Sequence, residues 1–252
     1  MKTLPVAIQV FSIREEAEKD FVGTMTAVKE MGYDGVELAG LYGHSPEKIR
    51  DILKEIGLTP ISAHVPYHEL VEDLEGTVSQ YATIGCRYIT IPYLTEDYRY
   101  GTKNFEEMMG NIPGIAKECA KHGITLLYHN HDFEFEKMED GTYVLDYMYQ
   151  NTTNEELQTE MDTCWIGVAG EDPIEYIRKY AGRSPLLHLK DYTNNPFHFQ
   201  PLGKGIQDIP NLLKEAVNIG CKWVIVEQDG HPDRAPMEDM KISRDYLKTL
   251  EW

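Results

Sequence analysis

Cysteine is scarce in this sequence, and its cations are outnumbered. Four cysteines, Cys86, Cys119, Cys164 and Cys221, lie far apart along 252 residues with no Cys-x-x-Cys pair. That spacing argues against a disulfide framework or a thiolate zinc knot, and the apolar or helical surroundings suit small core residues. Reduced thiols and a cytoplasmic location are the expectation. Lys and Arg number 24 against 42 Asp and Glu, the net charge is −18, and no basic run occurs. A chain of that sign repels phosphate backbones and anionic headgroups, so neither a nucleic acid nor a membrane is an expected partner. No apolar run approaches the ~20 residues that a spanning helix needs. The opening MKTLPVAIQVFSIREE is interrupted by Gln9, Ser12 and Arg14 and reads as a first strand, not a secretory leader. A Gly-rich phosphate turn is also missing: VFSIREE stands where an open dinucleotide-binding sheet would carry one.

What is present is a repeated punctuation. Charged, helix-patterned segments end near a glycine and a short apolar run follows, in EMGYDGVEL, EIGLTPISAH, TIGCRYITI, KHGITLLYH and NIGCKWVIVE. Gly32, Gly57, Gly85, Gly123 and Gly220 occupy the position after a helix where left-handed backbone favours glycine. Strands are expected near 6–11, 34–38, 60–65, 87–92, 125–130, 158–163, 185–190 and 222–227. Helices are expected near 15–31, 46–56, 70–84, 104–122, 142–151, 172–181, 208–219 and 236–249. Strict alternation implies parallel strands joined by crossover helices, and eight repeats in about 250 residues favour one closed (β/α)8 barrel, an α/β fold, over residues 1–252. The irregular stretches 93–103, 191–207 and 228–236 all follow strands, on the face where such barrels build their sites.

Six of the eight strand ends carry an ionisable residue: Glu37, His64, His129, Asp162, His188 and Glu227. Charges there are costly unless paired or bound to a metal, so their convergence on one rim points to a site. Asp162, His188 and Glu227 lie on successive strands, and their oxygen and imidazole donors suit Mn²⁺, Mg²⁺, Co²⁺ or Zn²⁺. Lys190 shares the face of His188 as an acid, base or oxyanion partner, or as a rim lysine paired with Asp191. Trp165 is either an apolar wall for a sugar or a core residue.

The motifs GYDGVEL, GITLLYHNH, MDTCWIGVAGEDP, LLHLKD, PLGKGIQDIP and VIVEQD together resemble the xylose-isomerase-like barrels over nearly the whole chain. That group includes sugar phosphate isomerases and epimerases, ketose 3-epimerases, hydroxypyruvate isomerase and inosose dehydratase. The resemblance implies one divalent metal, Mn first among the candidates, held by a residue after strand five together with Asp162, His188 and Glu227. Many epimerases have glutamate at the strand-five position; here YHNHDFEF offers His129, His131 or Glu134, with direct register favouring His129. Glu227, His129 and Lys190 are then the catalytic candidates. Glu37, His64, His131, Trp165 and Lys190 are candidates to contact a small carbohydrate, Glu37 and His64 alternatively acting on groups behind the ligands.

The implied chemistry is proton abstraction alpha to a carbonyl through an ene-diolate, ending in isomerisation or epimerisation, or alternatively in loss of a β-leaving group as in a dehydratase. Because His129 replaces a carboxylate, a symmetrical two-glutamate proton transfer is in doubt. Abasic-site endonucleases use a similar barrel, but their several-metal cluster and basic face are not matched, since Trp165 stands where a further histidine is expected. A non-catalytic sugar-binding barrel is a further reading. Lys204, Arg183 and the helix start near Asp208 could meet a phosphate, although a free keto-sugar is preferred. A homo-oligomer is compatible with the sequence, without an identifiable interface.

Overall fold

The structure is a computed structural model and describes residues 3–252. Ten strands occur in it: β1 (Val6–Gln9), β2 (Gly35–Leu38), β3 (Thr59–His64), β4 (Tyr88–Ile91), β5 (Thr125–His129), β6 (Gln158–Asp162), β7 (Leu186–Leu189), β8 (Asp191–Asn194), β9 (Phe197–Gln200) and β10 (Trp223–Val226). Eight of them, all parallel, close in the order β1-β10-β7-β6-β5-β4-β3-β2, which is the expected barrel. β8 and β9 form a separate antiparallel hairpin inside the stretch expected to be irregular.

Helix ends follow the glycine pattern. The helices Phe21–Met31 and Pro46–Ile56 stop at Gly32 and Gly57, whose φ of 92° and 82° lie in the left-handed region that a side chain resists. Two expected helices each divide. The segment 15–31 breaks at Asp20 and 70–84 breaks at Asp73, because each aspartate caps a new helix by accepting from the backbone N–H of Gly23 or Gly76. A Cβ on Gly23 would lie 2.2 Å from the Asp20 carboxylate and one on Gly76 2.1 Å from that of Asp73, so the cap selects its glycine. Asp162 caps a further short helix, Thr163–Val168, that the apolar pattern does not announce.

Side chains fill the barrel in layers, because alternate residues of each strand point inward. The lowest layer is apolar: Ala7, Ile61, Leu127, Leu186 and Ile225, with Tyr88 and Trp223 packed against it. One residue pair further along, the filling turns polar, with Gln9, Glu37, Ser62, Thr90, Glu160 and His188 all buried. His64, His129, Asp162, Lys190 and Glu227 stand at the strand ends above them. The apolar plug withholds water from below, so the upper layers answer only to the cavity above.

Candidate metal centre and active site

Parallel register lines up the site. Asp162 pairs with His188 across β6 and β7, His129 pairs with Glu160 across β5 and β6, and Ile225 places Glu227 beside the end of β7. One donor atom each from His129, Asp162, His188 and Glu227 falls within 4.8 Å of all the others. His188 Nδ1 is 3.0 Å from Glu227 Oε2, and His129 Nε2 is 3.6 Å from Asp162 Oδ2. Asp162 Oδ1 is taken by the N–H groups of Cys164 and Trp165, while the buried Oδ2 has the Lys190 ammonium 3.1 Å away and accepts no well-aligned hydrogen bond. Two carboxylates and two imidazoles converging on one point, with one carboxylate oxygen free of a hydrogen bond, are a donor set that fits a divalent cation.

Lys190 is wholly buried and its Nζ lies 3.1 Å from Asp162, 2.9 Å from Glu227 and 3.0 Å from Asp229. Burial works against its charge, but Asp162, Asp229 and Glu227 outweigh it and hold the ammonium well above its ordinary pKa. The expected alternative, pairing with Asp191, is corrected. Asp191 turns the other way and accepts from the backbone N–H groups of Tyr192, Gly203, Gly205 and Gln207. That cradle also uses up the N–H groups of the PLGKG turn that a phosphate would need. Arg183 is spent on the carbonyls of Tyr149, Thr152, Thr153 and Leu157, and Thr159, at the start region of β6, bonds back to its own carbonyl, which puts it at the far end of the barrel. Asp208 caps the helix Ile209–Asn218. No phosphate grip is assembled from these three.

Beneath the rim, Glu160 contacts His64, His129 and His188, while Glu37 accepts from Gln9 and Ser62 and contacts His188. Burial, then repulsion from Glu160, raises the Glu37 carboxyl to about 7. Burial lowers His129 to about 4 despite its contact with Glu160. For His188 burial pulls downward, but Glu160 and Glu37 prevail and hold it well above its ordinary value.

A cavity of about 490 Å³ opens above this centre. Lys190, Glu227, Asp229, His64, His129 and His131 line its polar side, and Phe11, Ala39, Gly40, Pro66, Pro92 and Tyr93 contribute to an apolar side formed by the early loops. Glu37 is fully buried below and lines no part of it, which places it behind the ligands, the second of its two expected positions. Trp165 is absent from the lining and backs it instead: its ring sits 5.2 Å from His131 and packs on Phe197 and Phe199 of the hairpin. Glu134 faces away from the cluster, where its carboxylate accepts from the Tyr128 hydroxyl and the His131 N–H. His131 reaches the cavity with a buried Nδ1 that has no partner. Glu160 and Asp229 were missed at the sequence level, yet each lies two residues from a strand-end carboxylate, Asp162 or Glu227, and so shares its face.

Fold and site together define a (β/α)8 barrel with an imidazole–carboxylate centre at the carboxyl ends of its strands. The profile described as the xylose isomerase-like TIM barrel matches residues 25–250, and the chain belongs to that family. The inosose dehydratase of Geobacillus kaustophilus is 22% identical over 90% of this chain and 86% of its own. A sugar phosphate isomerase/epimerase from Parabacteroides distasonis superposes with a TM-score of 0.85 at 24% identity, covering 98% of both chains. The IolI protein, solved with a bound zinc atom, superposes with a TM-score of 0.73 at 14% identity, covering 97% of this chain and 96% of its own. The first two of these are enzymes by name, a dehydratase and an isomerase/epimerase. Among the described residues, no helix is long and apolar enough to cross a membrane.

Proposed function

We propose that this chain is a metal-dependent sugar isomerase or epimerase, with one divalent cation, Mn²⁺ first and Mg²⁺, Co²⁺ or Zn²⁺ as alternatives, held by His129, Asp162, His188 and Glu227. The observation that carries the reading is the convergence of those four donors under a cavity whose floor also holds Lys190. When bound, the cation supplies Lewis acidity to a carbonyl oxygen and its neighbouring hydroxyl. Glu227 is the base. Both of its contacts, to His188 and Lys190, fall on Oε2, which leaves Oε1 to take the proton alpha to the carbonyl. As that C–H bond breaks, its electron pair forms the C=C bond of an ene-diolate and the carbonyl oxygen gains the charge. Lys190 donates to that oxygen. Returning the proton to the adjacent carbon, with the hydroxyl hydrogen moved between the two oxygens, completes an isomerisation. His131 and His64, both on the cavity wall, are placed to bind substrate hydroxyls.

A second reading is dehydration of an inosose or keto-sugar. The similarity to inosose dehydratases over about nine-tenths of the chain favours it. The same ene-diolate would expel a β-hydroxyl as water, with Lys190 giving the proton. Incubation with ketoses, inososes and 3-keto glycosides in D2O with Mn²⁺ tests both. Deuterium at the alpha carbon with a rearranged sugar supports the isomerase, and deuterium with an unsaturated product supports the dehydratase. Absence of exchange with every substrate, in a protein that binds no metal, would leave a non-catalytic barrel.

A further inference from the structure

We infer that Glu160, assisted by Glu37, is a positioning residue that decides which nitrogen His129 and His188 each turn toward a cation; the inference rests on the metal site proposed above. Glu160 sits on the inner face of β6, two residues before Asp162 and one layer deeper. Its Oε1 lies 2.6 Å from His64 Nε2, 3.2 Å from His129 Nδ1 and 3.0 Å from His188 Nε2. Its Oε2 accepts from the Thr90 hydroxyl at 2.9 Å. Three imidazoles from three strands therefore direct one nitrogen each at a single carboxylate oxygen.

A carboxylate oxygen that stands opposite a ring nitrogen as its acceptor leaves the hydrogen to that nitrogen. Glu37 makes the same demand of His188 from the opposite side, with Oε2 2.7 Å from His188 Nε2. The Glu37 carboxylate is itself held in place. Gln9 donates its amide to Oε2 at 2.8 Å, Ser62 donates to Oε1 at 2.6 Å, and the Gln9 carbonyl is taken by the Phe11 N–H, which fixes the direction of the amide.

The consequence is an unequal pair of ligands. His129 commits Nδ1 downward and is left with Nε2, the atom 3.6 Å from Asp162 Oδ2. His188 commits Nε2 downward, and its Nδ1, hydrogen-bonded to Glu227 Oε2 at 3.0 Å, is the atom that would exchange that contact for a cation shared with Glu227. The two histidines thus present opposite nitrogens to the same point. Both Glu160 and Glu37 are fully buried and line no part of the cavity, so they act through the imidazoles and not on substrate.

The test uses zinc, which is diamagnetic, on the full-length chain labelled with ¹⁵N-histidine. Two-bond ¹H–¹⁵N correlation should show His129 with a protonated Nδ1 and a metal-bound Nε2, and His188 with the reverse. Glu160→Gln should weaken zinc binding by about tenfold to a hundredfold in chelator competition, and should leave His129 in mixed tautomers. Glu37→Gln should disturb His188 and spare His129. A wild-type spectrum in which both histidines bind zinc through the same nitrogen would overturn the inference while leaving the metal site standing. So would an unchanged affinity and spectrum in folded Glu160→Gln protein. If that variant does not fold, the wild-type spectrum and Glu37→Gln decide alone. A wild-type protein that binds no divalent metal would refute the metal reading and this inference together.

Discussion

Lys190 carries charge in a place where a lone ammonium would be discharged by desolvation, and three carboxylates within 3.1 Å keep it there. An ammonium that firmly held is an acid or an oxyanion donor, not a base. Lys190→Gln should therefore lower kcat on the substrate that exchanges deuterium by about a hundredfold to a thousandfold, with KM moving less. Steady-state kinetics would check it, and an unchanged kcat would remove Lys190 from the reaction. Glu134 tests a different balance. Burial raises its carboxyl to about 7, against the lowering effect of the Tyr128 hydroxyl and backbone donors. Between the unfolded value near 4.5 and about 7 the folded chain holds a proton that the unfolded chain has released, so stability falls as pH rises through that window. Relative to Glu134→Gln, the wild-type protein should lose roughly 2–3 kcal/mol between pH 5 and pH 8, read by denaturant titration at each pH. At this scale the strand-end residues could be found from the sequence because one ionisable side chain closing an apolar run is conspicuous. Glu160 escaped because it lies inside a strand, where only the two-residue period relates it to Asp162, and the choice between the two positions expected for Glu37 stayed open because a sequence does not say how deep a strand end sits.

Elements were readable where local chemistry and periodicity agree, as at the Gly-terminated helices, and obscure where a single side chain overrides the pattern. The apolar spacing continues across Asp20 and Asp73, so one long helix was expected in each case; the D-x-x-G spacing of DFVG and DLEG was the available signal of a new cap. The β8–β9 hairpin was hidden for another reason. Its stability comes from contacts outside its own ten residues, with Phe197 and Phe199 packing on Trp165, and with Asp191 tying its first residue to the turn at 203–207. Asp191 is fully buried and serves four backbone donors, and a Cβ on Gly205 would lie 2.2 Å from its carboxylate. Asp191→Ala should strand those donors and cost about 3 kcal/mol or more, with faster amide exchange at Gly203, Gly205 and Gln207. A loss confined to a few tenths of a kcal/mol would mean that the aromatic contacts alone hold the hairpin.

At the scale of the whole barrel, alternation of apolar runs and amphipathic helices announces the architecture, because every repeat must bury the same two faces. It does not announce how the interior balances its charge. Glu37, Glu160, Asp162 and Glu227 are enclosed with Lys190 and three histidines above an apolar floor. Without a metal, protons must do the balancing: His64 and His188 are raised by the carboxylates around them, against burial, and the Glu37 carboxyl is raised by burial. A divalent cation at His129, Asp162, His188 and Glu227 would replace that arrangement with charge fixed at the point where those four donors converge. The unfolded chain offers no such convergence, so binding adds directly to folding stability. At a free concentration a hundred times Kd it contributes about 2.7 kcal/mol, which for a chain of this size raises Tm by roughly 5–10 °C. Thermal melts with Mn²⁺ or Zn²⁺ against EDTA should show that rise, and sodium chloride at matched ionic strength should not. Asp162→Ala should abolish it, because the cation then loses both the ligand and the cap that orients the segment beginning at Thr163. A rise that survives Asp162→Ala would place the cation elsewhere on this acidic surface.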